Sequence, residues 1–179
     1  NTPAQIGLGA TGWMAAAGVS PDQKKNVVAI LELMGIAVEV ASEDELDAVT
    51  ALSGCGPAYV FYFMEALMEG AEKLGLSKEA GGRLAVQTVK GATALAEKTI
   101  GDRNDGVTVS GTDVGTVDDA VGDGSNSDVA LEALQTLRAN VTSKGGTTEQ
   151  AIGVLEKAAF KTAVQAAMRA AYERAKGMR

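Results

Sequence analysis

With 179 residues, 46% of them hydrophobic and 22% charged, the chain has the size and composition of a single globular domain. It contains one cysteine and no histidine, which excludes an internal disulfide, multi-cysteine zinc sites and mechanisms that use a histidine base. The net charge of −7 disfavours a nucleic-acid partner. No apolar run reaches the ~20 residues of a membrane span and no signal peptide is recognisable, so we expect a cytoplasmic protein with no metal site and no membrane association.

The first segment is rich in glycine and contains the pattern GxGxxG at residues 7–12. A dinucleotide-binding motif of this kind needs a strand before it and a helix directly after it. Only six residues precede Gly7, and residues 13–18 do not have the pattern of a helix start. We therefore interpret the pattern as a glycine-rich connection, with a candidate short strand at residues 11–14.

Three helix starts can be predicted from capping residues. Ser20 with Gln23 forms a capping box that has proline at the first helical position, and Ser42 with Glu45 forms a second one. Between these two helices, residues 36–40 alternate like a short strand. Ser77 is the predicted cap of a further helix over residues 78–99.

A central helix is predicted over residues 57–74, after a glycine-rich turn at residues 53–56. Its residues are apolar on nearly every side, and a chain of this length builds only a modest core. We therefore predict that this helix is shared between subunits. Cys55 lies in the turn at the helix start, where a thiolate can be stabilised, but the absence of a histidine base favours a small packed residue.

The negative charge is concentrated between residues 101 and 128, where seven aspartates accompany one arginine, Arg103. Because glycine and aspartate break helices, we expect an irregular, solvated and mobile insertion at residues 101–127, with at best a small hairpin at residues 107–109 and 114–117. A calcium loop is disfavoured because Asp102, Asn104 and Asp105 do not have the ligand spacing of that motif.

Helix resumes near Asp128 and continues toward Asn140, and a long helix is predicted from residue 147 to about residue 176. The segment between them reads TSKGGTTEQ, in which Thr147 and Gln150 form a third predicted capping box. Two glycines before a helix start are also typical of an anion site, because backbone N–H groups there face a ligand. From the residues alone, a carboxylate site and an ordinary capped turn both stay open.

Several motifs closely resemble the pyrroline-5-carboxylate reductase family. They are NTPA at residues 1–4, GATG at 9–12, LSGCGPAY at 52–59 and TSKGGTT at 142–148, followed by AI at 151–152 and LE at 155–156. The resemblance extends over the chain except for about residues 101–128. The match over residues 142–156 is the most specific, since residue types and spacing agree throughout.

The resemblance implies a mainly α fold, an intertwined helical bundle that dimerises, with residues 19–100 and 128–177 helical. It implies the C-terminal domain of an enzyme that reduces 1-pyrroline-5-carboxylate to L-proline with NADPH or NADH, the last step of proline biosynthesis. Thr148 matches the threonine near the imine nitrogen and would be catalytic. The implied substrate-carboxylate loop consists of Ser143, Lys144, Gly145, Gly146, Thr147 and Thr148. The implied cofactor-side residues are Asn1, Cys55 and Gly56.

Three departures from the family pattern affect this interpretation. The chain begins at Asn1, where the family's nucleotide domain ends, so we expect a processed product or fragment that lacks this domain. Alone it would hold no NADP or NAD and would be inactive. Cys55 replaces a usual serine, and the acidic insertion replaces a short link.

Two rival interpretations remain. One is a non-catalytic helical dimerisation scaffold that carries the acidic insertion as a display loop. The other is the helical domain of a different dehydrogenase, which would bind another acid. The preferred interpretation gives a homodimer, possibly part of a higher oligomer, that binds small carboxylates such as 1-pyrroline-5-carboxylate and proline.

Overall fold

The computed structural model describes residues 1–103 and 126–179. The predicted mainly α class is confirmed, with helices accompanied by two short strands. These residues form two compact units, which we call the first unit (Asn1–Ala66 with Ala159–Arg179) and the second unit (Leu67–Ala158). The predicted insertion at residues 101–127, including its hairpin and the disfavoured calcium loop, lies almost wholly outside the described residues.

The first unit begins with a short 3-10 helix, Thr2–Ile6, and a two-stranded parallel sheet. Strand β1 (Gly9–Trp13) pairs with β2 (Gly35–Glu39), and helix α1 (Pro21–Glu32) connects them. Both predicted strands are thus confirmed, within two residues. Gly9 and Gly12 lie inside β1 and the next helix starts only at Pro21, which is not the arrangement of a dinucleotide motif.

Local caps determine where the first helices begin. The Ser20 hydroxyl accepts from the Gln23 amide while the Gln23 side chain accepts from the Ser20 amide, so the predicted capping box of α1 is present. Lys24 on α1 forms an ion pair with Glu39 of β2 at 2.6 Å. Its ammonium group also lies 6.0 Å from the ring centroid of Trp13, which ties α1 to both strands.

The turn predicted at residues 53–56 is wrong, because most of this stretch is helical. Helix α2 (Glu43–Val49) passes into a π-helical turn, Thr50–Gly54, and helix α3 (Gly56–Lys73) follows after one residue. Neither Gly54 nor Gly56 has a positive φ, so the glycines do not open the chain into a free turn. The Ser53 hydroxyl donates to the Val49 carbonyl at 3.1 Å, which continues the helical pattern through this stretch.

The single long helix predicted from residue 147 to 176 is also wrong. Helix α6 (Thr147–Lys157) ends, and helix α7 (Phe160–Lys176) begins after Ala159, whose φ of 53° is left-handed. No glycine or proline marks this break in the sequence. Within the first unit, the ring of Phe160 packs against that of Phe63 with centroids 6.3 Å apart, an aromatic contact that sequence periodicity cannot show.

The second unit consists of the end of α3, helix α4 (Lys78–Arg103), helix α5 (Asn126–Asn140) and α6. The Ser77 hydroxyl accepts from the Ala80 amide at 3.2 Å, which confirms the predicted cap of α4. Helix α4 packs against α5. Helix α4 ends four residues later, and α5 starts two residues earlier, than the sequence predicts.

A single copy of the chain buries very little apolar surface. Where the structure describes side chains, the buried apolar ones are all alanines: Ala51, Ala85 and Ala133. On α3, by contrast, Phe61 is 55% exposed and Tyr62 is 76% exposed. This distribution agrees with the prediction that α3 lies at a subunit interface.

Gly35 provides a test of the sheet. Its φ is 138°, and a Cβ there would overlap the Gly9 backbone, whereas a Cβ on Gly7, at φ 72°, would meet no atom within 4 Å. We expect Gly35→Ala to lower the free energy of unfolding by about 3 kcal/mol or more, and Gly7→Ala by only about 1 kcal/mol. Chemical denaturation measures both, and equal losses would mean that the close contact between β1 and β2 contributes nothing.

Candidate functional site

In the second unit, the loop that joins α5 to α6 and the first turn of α6 together contain all the residues predicted to bind substrate. The Gly146 amide donates to the Ser143 carbonyl at 3.0 Å, which closes a β-turn over residues 143–146. Gly145, the third residue of this turn, has a φ of 76°, as a type II turn requires. Gly146 has an ordinary φ of −82°, but a Cβ there would overlap the Ser143 hydroxyl. Each glycine is therefore needed for a different reason.

The predicted capping box at Thr147 is wrong. Gly146 is the N-cap of α6, Thr147 is already the first helical residue, and no side chain caps the helix from the N-cap position. Glu149 rather than Gln150 then occupies the third helical position, from which a side chain can reach back toward the loop. Its carboxylate Oε2 accepts from the Gly145 amide at 2.8 Å.

Three amides at the start of α6 face outward from the loop. The N–H groups of Thr147, Thr148 and Glu149 donate to no acceptor within the described part of the chain, since the first hydrogen bond of the helix runs from Gln150 to Gly146. The amides of Gly145 and Gly146 are both taken by internal acceptors. The positive end of the helix dipole adds to the three outward amides, so this end of α6 suits an anion.

Three hydroxyl side chains belong to the same turn and helix start as these amides. The side chains of Ser143, Thr147 and Thr148 form no hydrogen bond with another described residue, so each hydroxyl can turn toward a ligand. Thr148 is half-buried, while Ser143, Lys144 and Thr147 are exposed. The loop thus brings together the complete predicted substrate set, with one charged donor, Lys144, at its edge.

The predicted cofactor-side residues lie together in the first unit. The Asn1 side-chain amide donates to the Ser53 carbonyl at 2.9 Å, and its oxygen accepts from the Ala10 amide at 3.1 Å. Asn1 therefore joins β1 to the π-helical turn, two residues before Cys55. The polar side-chain atoms of Asn1 are therefore engaged within the protein.

Cys55 is half-buried and is not in a disulfide. Tyr59 lies one helical turn further along α3 and donates its hydroxyl proton to the Ala51 carbonyl at 3.2 Å. Burial, and then the neighbouring Cys55 thiol, raise the pKa of Tyr59 above its usual value. This neighbourhood agrees with a packed cysteine in preference to a reactive one.

Over residues 1–103 and 126–179, no group of three histidine, cysteine, aspartate or glutamate side chains is placed to hold a metal ion. None of the helices in these ranges is both long and apolar enough to cross a membrane.

Comparison with known proteins identifies the family. Residues 43–178 match the family profile described as "Pyrroline-5-carboxylate reductase dimerisation". The chain belongs to this family. The matched range starts at the first residue of α2 and includes both α3 and the loop before α6, so the resemblance seen in the sequence motifs is confirmed.

Individual pyrroline-5-carboxylate reductases are similar to nearly all of this chain. That of Pseudomonas aeruginosa is 37% identical over 97% of the chain and 52% of its own length. That of Mycobacterium tuberculosis is 37% identical over 100% of the chain and 56% of its own length. The chain therefore spans about half the length of the curated relatives it matches.

Solved structures give the same result. The pyrroline-5-carboxylate reductase of Coxiella burnetii has a TM-score of 0.77 and 39% identity, over 99% of this chain and 54% of that one. The Plasmodium falciparum pyrroline carboxylate reductase, solved with NADP bound, has a TM-score of 0.75 and 32% identity, over 99% of this chain and 60% of that one.

The sequence did not reveal one charged cluster in this domain. Arg179 forms ion pairs with Asp44, at 2.6 Å, and with Asp47, and Lys176 lies 3.4 Å from Asp44. Asp47 is only 7% exposed and lines a cavity of about 360 Å³ between the α2 region and α7. More than 130 positions separate Arg179 from its partners, so no local pattern predicts these contacts.

The ion pairs of Asp44 predict an acid-dependent stability. Hydrogen bonds from Arg179 and then from Lys176 hold the pKa of Asp44 below its usual 3.8. Their contribution is therefore complete above about pH 4 and is lost as the pH falls through the lowered pKa. We expect the melting temperature of Asp44→Asn to lie below that of the wild type at pH 6, with a difference that shrinks below pH 4.

The exposed variant Glu32→Gln serves as the control, since its side chain has no ion pair with a described residue. Melting curves recorded between pH 3 and pH 6 check the expectation. A constant difference between Asp44→Asn and the wild type across this range would show that the ion pairs contribute nothing.

Proposed function

We propose that this chain is the C-terminal helical domain of a reductase that converts 1-pyrroline-5-carboxylate to L-proline with NADPH or NADH, in proline biosynthesis. The observation that carries the proposal is the continuity of the match. Pyrroline-5-carboxylate reductases align with 97–100% of the chain, and the aligned region includes the loop before α6. The cytoplasmic location stays a prediction from the sequence.

In this proposal the loop before α6 holds the substrate carboxylate. The three outward amides supply hydrogen-bond donors at the positive end of a helix, and Ser143, Lys144 and Thr147 supply side-chain donors. The Thr148 hydroxyl, half-buried and without a described partner, would bond near the ring nitrogen and so orient the imine. Gly145 and Gly146 permit the turn that brings these groups together.

The cofactor would belong to the full-length enzyme, where it would supply the hydride. NADP is bound in the Plasmodium falciparum relative, and NADP or NAD is the proposed cofactor here. Asn1, Cys55 and Gly56 are proposed to lie on the cofactor side, where Asn1 would stabilise the π-helical turn. We expect no nicotinamide cofactor to bind to this chain alone, because the relatives that carry out the reaction are about twice as long.

A homodimer is the assembly expected for a member of a dimerisation family. The apolar surface of α3 supports the finer proposal that two copies intertwine, since Val60, Phe61 and Phe63 are each more than 40% exposed in a single copy. Exposure of this extent is costly in water and a second copy would remove it. Assembly beyond a dimer stays open.

The non-catalytic scaffold remains the second candidate, and ligand binding discriminates between the two. We expect the chain to bind L-proline weakly, with a dissociation constant of about 1 mM, and to show no NADPH-dependent reduction of 1-pyrroline-5-carboxylate. Gly146→Val should abolish proline binding, because its side chain would overlap Ser143.

Gly177→Ala is the matched glycine control, since its Cβ would meet only an ordinary contact at 3.5 Å. Isothermal titration or ligand-observed NMR measures the binding. A pure scaffold would bind no proline at all. The helical domain of another dehydrogenase would instead bind a different carboxylic acid.

Intertwining predicts that folding and association are a single process. We expect the melting temperature to rise with protein concentration, by several degrees over a hundredfold range, because mass action favours the folded dimer. Calorimetry at graded concentrations, with sedimentation to follow the dimer, provides the measurement. A melting temperature that stays flat over this range would contradict the intertwined dimer.

A further inference from the structure

The proposed function does not use the hydrogen bond between Glu149 and Gly145. Glu149 lies at the third position of α6 and its carboxylate accepts the Gly145 N–H at 2.8 Å, a good hydrogen-bond distance. Gly145 is the third residue of the turn that carries the proposed substrate loop. This contact is the one described side-chain hydrogen bond that reaches the turn.

The Gly145 N–H belongs to the central peptide of that turn, the peptide that joins it to Lys144. Type I and type II turns differ mainly in the orientation of this peptide, which rotates by about 150° or more between them. Gly145, at φ 76°, is in the type II orientation. Glycine alone does not hold it there, because glycine accepts both signs of φ with similar ease.

A hydrogen bond of the same kind occurs at the start of α2, where the N-cap is a serine instead of a glycine. Glu45 is the third residue of α2 and its carboxylate accepts from the Ala41 amide at 2.9 Å, one residue before the N-cap. There the Ser42 hydroxyl also caps the helix, at 3.2 Å from the Glu45 nitrogen. At α6 the N-cap is Gly146, which has no side chain, so Glu149 acts without such help.

We propose that Glu149 is a positioning residue of the substrate loop: by accepting the Gly145 N–H it holds the central peptide of the turn in one orientation and so fixes the outward amides and hydroxyls relative to each other. The identity of the ligand in this proposal rests on the proposed function. The hydrogen bond between Glu149 and Gly145 is observed independently of that function.

The proposal predicts an order of ligand affinity that a charge effect would not give. Glu149→Gln keeps a carbonyl oxygen that accepts the Gly145 N–H and removes a negative charge beside a carboxylate ligand. It should bind L-proline at least as tightly as the wild type does. Glu149→Ala removes the acceptor and should bind about fivefold to tenfold more weakly. If Glu149 acted only through its charge, both variants would bind L-proline equally, and at least as tightly as the wild type does.

The deciding experiment measures amide hydrogen exchange at Gly145 by NMR of the ¹⁵N-labelled chain, together with titration of L-proline. Exchange at Gly145 should be about tenfold faster in Glu149→Ala than in the wild type and close to the wild-type rate in Glu149→Gln. Glu45→Ala is the matched control, since it removes the same kind of contact from α2. It should speed exchange at Ala41 and leave both Gly145 and proline binding unchanged.

Each outcome decides the proposal. Unchanged exchange at Gly145 in Glu149→Ala overturns it, as does faster exchange with unchanged proline affinity. Equal proline affinity in Glu149→Gln and Glu149→Ala also overturns it, because the hydrogen-bond acceptor that only Glu149→Gln keeps would then have no effect. Absence of proline binding in the wild type means that the proposed function has failed and the positioning role with it, while the exchange data still establish whether Glu149 holds the turn.

Discussion

The structure depends on apolar surface that one copy of the chain cannot bury. Its helices are individually well formed, but the apolar side chains buried in a single copy, among the described residues, are alanines, and alanine contributes little apolar area. The large side chains of α3 remain in contact with water. In the proposed homodimer, a second copy would supply the missing side of the core. The stability of this domain would then depend on the assembly.

Much of the fold could be predicted from the sequence because its helix starts are determined locally. Ser20, Ser42 and Ser77 each cap a helix by accepting from the amide three positions further on, and such contacts are visible as short patterns. Alternation over residues 36–40 predicts β2, whereas β1 is only a candidate strand in a glycine-rich segment. The break between α6 and α7 has no such local signal. Ala159 adopts a left-handed φ without being glycine, and the break before α7 accompanies aromatic packing between residues far apart in sequence.

The candidate site shows the same division between local and distant causes. Two glycines before a helix start predict the loop, and the resemblance to the family assigns roles to its residues. The predicted N-cap, Thr147, is wrong. Moving the cap from Thr147 to Gly146 places Glu149 at the third helical position, where acidic residues commonly reach back to the preceding backbone. This contact was within reach of sequence reasoning. The ion pairs of Arg179 with Asp44 and Asp47 were not, because only the folded chain brings them together.

The division into two units also separates the chromophores of the chain. Every tryptophan, tyrosine and phenylalanine lies in the first unit, including Trp13 in β1 and the Phe63–Phe160 pair, whereas residues 67–158 contain no aromatic side chain. Intrinsic fluorescence and near-ultraviolet circular dichroism therefore report on the first unit alone. The second unit, which contains the proposed substrate loop, has no aromatic chromophore. An unfolding curve recorded by tryptophan emission describes the sheet and its neighbours, and occupancy of the loop has to be followed by calorimetry or NMR.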